Sequence, residues 1–200
     1  MSVELPGAAP AVPGLRERKK ERTRRAIRTE AFRLFREQGY GETTIEQIAA
    51  AAEVSPSTFF RYFPSKEQLV VADDLDPPMI AEYRAQPPDV RPFLALRNAI
   101  NAVYATLTPE EIAFEQERQA LLYHVPELRP AIGVELERGI DMIAALLAER
   151  TGRSVDDFEI RVAAGALAGA GIAISLITPV NSENIGRALE FLDAGMPLVE

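Results

Sequence analysis

Apolar residues recur at three- and four-residue spacing along most of this chain, and no stretch of useful length alternates with period two. That periodicity marks amphipathic helices. Ala26, Ile27, Phe32, Leu34 and Phe35 form one stripe over residues 16–38, which Gly39 ends. Ile45, Ile48, Ala49 and Ala52 form the next, and Thr43 with Glu46 opens it as a capping box. Glu53-Val54 makes a turn. Ser55 then serves as N-cap and Pro56 takes the first helical position, so a third helix runs from Ser57 to Phe63 and Pro64 closes it. Ser65 with Gln68 reads as a second capping box, opening a fourth helix to about Asp74. Pro77-Pro78 bends that helix before Met79 to Ala85 continue it.

Val90, Phe93, Leu94, Leu96, Ile100, Val103 and Leu107 keep helical spacing over 89–107. Thr108-Pro109-Glu110-Glu111 starts a helix to about Tyr123, and Pro126 and Pro130 bracket a connector. Helices over 132–150 and from Ser154 to Thr178 follow, and Asn181 caps a last one to about Ala194. The predicted fold class is all-α with about nine helices. A tail over 1–15, rich in Pro, Ala and Gly, predicts disorder.

Two short helices joined by a tight turn make a helix-turn-helix, whose second helix reads the DNA major groove. A net charge of −8 argues against nucleic acid until its distribution is seen. Residues 1–66 hold 12 Lys and Arg against 8 Asp and Glu, residues 67–200 hold 10 against 22, and residues 16–36 alone hold ten against three. One end of the chain therefore suits a polyanion and the other does not. Cys is absent, which excludes disulfides and thiolate metal sites and fits a reducing cytoplasm. Residues 1–14 lack the charged start and long apolar block of a signal peptide. His124, the only histidine, stands at a helix end, and one imidazole makes no metal site. Without a phosphate-binding Gly loop, a GxSxG or paired His, the expectation is no enzyme, no catalytic residue and no metal.

The run Thr43-Thr44-Ile45 with Ile48-Ala49, then Val54-Ser55, Thr58, Tyr62-Phe63, Ser65-Lys66-Glu67 and Leu69, resembles the N-terminal domain of TetR-type transcriptional repressors. The resemblance is specific over roughly residues 20–70 and rests beyond 70 on length and helical content alone. Ser57 departs from the family's Gly, and Phe59-Phe60 from its Leu-Tyr, so Phe60 lacks a phenol that often touches a DNA phosphate in the family. The resemblance implies a cytoplasmic homodimer that binds a palindromic operator in double-stranded DNA and leaves it on binding a small molecule. It divides the chain into a DNA-binding domain over 16–70 and a ligand-binding and dimerisation domain over 71–200. Ser57, Thr58 and Arg61 lie on the early turns of the recognition helix, within reach of base edges, with Arg61 divided between base and phosphate. Thr44, Tyr62 and Lys66 match the family's phosphate-contacting positions, and Arg25, Thr43, Ser55 and Pro56 complete the DNA-binding set.

Polar groups on largely apolar helices need partners, internal or from a ligand. On that ground Arg97, Asn98, Asn101, Tyr104, Arg118, Tyr123 and Met142 are ligand candidates, with core packing the ordinary role of Met142 and the aromatics. The stretch 123–132, centred on Pro126-Glu127-Leu128-Arg129-Pro130, resembles regulators that sense acyl-CoA-like molecules, which implies a fatty acyl-CoA effector with Arg97 or Arg118 on its phosphates. No other cofactor is expected. Val162 to Thr178 is apolar for 17 residues, just short of a typical membrane span, so no membrane is expected. Gly165, Ala168, Gly169 and Ile172 share one face of it and are the expected dimer interface, since the family's last two long helices form a four-helix bundle with the partner's. The alternative function is a constitutive DNA-binding regulator or architectural protein whose C-terminal domain only dimerises.

Overall fold

The computed structural model describes residues 14–198, so residues 1–13 of the expected tail lie outside it. Among the described residues are ten α-helices, one short 3-10 helix and no strand. They form two compact units that divide between Leu69 and Val70.

The first unit holds α1 (Leu15–Gln38), α2 (Ile45–Ala51) and α3 (Pro56–Tyr62), and α4 (Gln68–Val71) begins at its end. α1 packs on α2 and α2 on α3 around Ile27, Phe32, Ile48, Phe59 and Phe63, all essentially inaccessible. Gly39 ends α1 at φ +89°, a conformation open to a residue without Cβ. The cap of α2 lies one residue beyond the expected pair. Thr44 accepts from the Gln47 amide at 3.2 Å and the Gln47 side chain accepts from the Thr44 amide at 2.9 Å. Thr43 is unavailable because its hydroxyl donates to the Gly39 carbonyl at 2.8 Å and the residue is buried. Arg28, also buried, donates from Nε to the Leu69 carbonyl at 2.9 Å.

The second unit contains α5 (Asp76–Ala85), α6 (Pro92–Tyr104), α7 (Pro109–His124), the 3-10 helix Pro126–Leu128, α8 (Arg129–Thr151), α9 (Phe158–Ile177) and α10 (Ser182–Asp193). Prolines expected to bend a helix or to bracket a connector open helices here. The fourth helix starts at Gln68 rather than Ser65 and lasts one turn, and the chain turns where the Leu75 amide donates to Asp73 Oδ1 at 2.8 Å. Pro77 and Pro78 then sit in the first turn of α5, and Pro130 in the first turn of α8, where the amide hydrogen they lack has no intrahelical acceptor. Thr108 and Glu111 form a reciprocal capping box on α7, Asn181 caps α10, and Asp157 rather than Ser154 caps α9.

α8 packs along α9, α10 against α6, and α5 against α6. Ile100, Ala144, Leu147, Ala164, Leu167 and Leu189 form the main core. Arg150 fastens the α5–α6 link, donating to the Val90 carbonyl at 3.0 Å and to the Pro87 carbonyl. Among the described residues α9 alone is long and apolar enough to cross a membrane. It lends Ala164 and Leu167 to the protein core and leaves Val162, Leu176 and Ile177 exposed.

Candidate functional site

Two surfaces carry chemistry, one in each unit. In the first, the Ser55 hydroxyl accepts from the Thr58 amide at 3.1 Å and fixes the start of α3. Phe59 and Phe63 face inward, which turns Pro56, Ser57, Phe60 and Arg61 outward, Phe60 being 51% exposed. Arg18, Lys20 and Arg24 of α1 line an open groove of about 800 Å³ with Arg61 and Tyr62, where the four cations outnumber the carboxylates of Glu17 and Glu21. The charges of α1 thus join those of the recognition helix on one surface, the footprint of a phosphate backbone. Arg25, Thr44 and Ser55 are exposed and Thr58 and Tyr62 half-buried. Thr43 is 1% exposed and presents no atom to a polyanion. Lys66 is committed internally: Nζ donates to the Tyr40 and Thr43 carbonyls at 2.8 and 3.0 Å and sits over the Tyr40 ring. Arg18, Lys20 and Arg24 belong to the basic run over 16–36 that the sequence assigns to the polyanion-facing end, although Arg25 is the only residue of that helix named among the expected contacts.

In the second unit a cavity of about 160 Å³ opens among α5, α6, α8, α9 and α10. Ile80, Leu96, Ile100, Met142, Leu146 and Leu189 are among its walls, and Asp76 is the one charged residue lining it. Of the expected ligand residues only Met142 lines this cavity. Arg118 and Tyr123 line a neighbouring polar recess of about 240 Å³ with Asp73, Glu135 and Arg138. Arg97 pairs with Glu190, Asn98 donates to Gln86 Oε1 at 3.1 Å, and Asn101 is exposed. Tyr104 belongs to the core, where burial pushes its phenol up to about 12. The apolar walls were missed because their residues are indistinguishable in sequence from core.

Arg118 anchors a buried ionic cluster. It bonds both oxygens of Glu115 and donates to Asp73 Oδ2 at 2.7 Å and to the Val70 carbonyl at 3.1 Å. Burial opposes its charge, but Asp73 and Glu115 more than offset that and its pKa is raised. Burial raises Glu115 as well, with Arg118 acting in the opposite direction. Alongside, Arg138 donates to Asp76 Oδ2 at 2.8 Å and to Glu135 Oε2 at 2.7 Å. Burial first, and then the charge of Asp73, raise the Asp76 carboxyl above its ordinary range despite Arg138.

Along α9, Gly165, Ala168 and Ile172 are half-buried and Gly169 is exposed. A Cβ built at Gly165 or Gly169 meets nothing within 4 Å. The small residues are thus not needed for a close approach inside this chain.

Residues 27–72 match the bacterial regulatory proteins of the tetR family, and residues 90–197 match the MftR C-terminal domain. The HTH-type transcriptional regulator TcmR of Streptomyces glaucescens is 36% identical over 157 residues, covering 75% of this chain and 70% of the relative. FadR of Thermus thermophilus, a TetR family transcriptional repressor solved in complex with lauroyl-CoA, is 26% identical with a TM-score of 0.51, covering 88% of this chain and 96% of that one. SmeT, the repressor of the Stenotrophomonas maltophilia multidrug efflux pump SmeDEF, shares the fold at 19% identity and a TM-score of 0.57, with 86% of this chain and 89% of that one covered.

Proposed function

The chain belongs to the TetR family of bacterial regulatory proteins, and from that premise we propose that it is an effector-released transcriptional repressor. In this reading a homodimer binds a palindromic operator through α3, acts in the cytoplasm, and leaves the operator when a small apolar molecule enters the second unit. The observation that carries the reading is the apolar cavity walled by five helices in a chain whose other unit presents a basic helix-turn-helix surface. A constitutive regulator has no use for such a cavity, and packed cores tolerate few voids of this size. The uncovered apolar face of α9, with Ile177 80% exposed, supports pairing with a second copy.

A narrower version takes the effector to be a fatty acyl-CoA. Its support is the likeness to a FadR solved with lauroyl-CoA and a wall suited to an acyl chain. At about 160 Å³ the cavity suits a short apolar body, since an apolar cavity of about 150 Å³ takes up benzene. Arg97 and Arg118 are already paired with carboxylates, so the phosphates would draw on other cations.

Met142→Trp, which fills the cavity, tests the function. Fluorescence anisotropy should show the variant binding operator with the wild-type affinity but no longer released by apolar compounds that release wild type. Release that survives the filling contradicts the reading.

A further inference from the structure

Asp76 stands alone as a charged wall residue of the apolar cavity, which Met79, Ile100, Met142 and Ile185 also line. A carboxylate at the first position of a helix ordinarily draws on first-turn amides. Here the next two residues are Pro77 and Pro78, which carry no amide hydrogen, and the Met79 amide is taken by the Leu75 carbonyl at 3.0 Å. What Asp76 receives instead is one hydrogen bond at Oδ2, from Arg138, a guanidinium shared with Glu135. The ionic cluster around it holds the carboxylates of Asp73, Asp76, Glu115 and Glu135 against the guanidiniums of Arg118 and Arg138. Negative charge therefore exceeds positive at the polar edge of an otherwise apolar cavity.

We infer that the molecule this cavity takes is an organic cation: a ring-sized apolar body bearing one ammonium group, which pairs with Asp76. The inference rests on the general effector reading above, which it deepens, and it stands against the acyl-CoA version of that reading. An ammonium supplies the donors that the prolines withhold and offsets part of the excess charge. An alcohol supplies one neutral donor, and a carboxylate or a phosphate is repelled. The same geometry separates this ligand from the acyl-CoA class, whose head group is anionic.

Four probes sharing a six-carbon chain test it at pH 7: hexylamine, 1-hexanol, hexanoate and hexanoyl-CoA, each titrated calorimetrically into the full chain. Hexylammonium should bind wild type roughly tenfold or more tighter than hexanol, as a charge-assisted hydrogen bond implies, and hexanoate and hexanoyl-CoA should bind no better than hexanol. Asp76→Asn should bring hexylammonium down to the affinity of hexanol and leave hexanol unchanged. Met142→Trp should abolish binding of the amine and the alcohol alike. Equal affinities for amine and alcohol, tighter binding of either anionic probe, or an amine preference that persists in Asp76→Asn or Met142→Trp overturns the ion pair. In those cases the effector cavity itself survives wherever hexanol binds and Met142→Trp blocks it. Binding of none of the four overturns both readings. The ranking on wild type decides the matter should the asparagine variant fail to fold.

Discussion

Arg118 keeps its charge with 2% of its surface exposed because Glu115, one turn back on α7, and Val70 and Asp73, from the start of the second unit, converge on it. Removing one member of a buried ionic cluster strands the others without compensation. Arg118→Met should therefore cost about 3–5 kcal/mol in urea unfolding, and a cost below about 1 kcal/mol would show that the cluster relaxes or hydrates. Asp76 allows a test with a definite sign. Its folded pKa is raised by burial and by Asp73, so its contribution is fully present below the ordinary carboxylate value of about 3.9 and is lost as pH rises through the folded value. Asp76→Asn lacks that loss. Its stability relative to wild type should rise as denaturation is followed from pH 4 to 7, and a flat or falling difference would refute the assignment. Such residues mark where sequence reasoning stops. Arg118 reads as a polar side chain needing a partner, but only the fold brings Asp73, 45 positions earlier, to within 2.7 Å.

Helix starts were the most legible feature of the elements, because each is written in a few adjacent residues. Ser55-Pro56, Thr108 with Glu111, and Asn181 cap as their local chemistry dictates. Errors arose where the same residue has two meanings. Proline breaks a helix from inside and favours its first turn, and Pro77, Pro78 and Pro130 take the second role. Adjacent threonines gave the other ambiguity, since burial spends Thr43 on Gly39 and leaves the cap to Thr44. Thr108→Ala should lower stability by about 1 kcal/mol in chemical denaturation, and no change would mean the box is not formed in solution. The turn between α2 and α3 holds Glu53 at φ +54°, a conformation that β-branched side chains resist. Glu53→Ile should cost about 1–3 kcal/mol and Glu53→Gly close to nothing, and equal melting temperatures for the two would contradict the left-handed turn. On α9, Gly169 is exposed and a Cβ there meets no atom of its own chain within 4 Å, so Gly169→Leu starts into open space. Light scattering should accordingly show a folded monomer if that face is the proposed dimer seam, and an intact dimer if the seam lies elsewhere.

At the scale of the whole molecule, charge and apolar volume are divided between the two units. Ten of the 22 basic residues lie within residues 16–36, and the apolar cavity lies in the unit that begins at Val70. That division was visible in sequence as a charge asymmetry, whereas the cavity was not, since a void has no residue of its own. The proposed release requires the effector to favour the state with low operator affinity, and reciprocity then requires operator to weaken effector binding by the same factor. All of this presupposes that the chain reads DNA as a symmetric pair. The most direct test is therefore selection of binding sites from random duplex DNA by the wild-type protein and by Arg61→Ala. Wild type should enrich an inverted repeat whose half-sites are centred about one helical turn, or a multiple of it, apart, and Arg61→Ala should lose or relax that sequence. Enrichment of no sequence, or of a single half-site without a symmetry mate, would contradict the account.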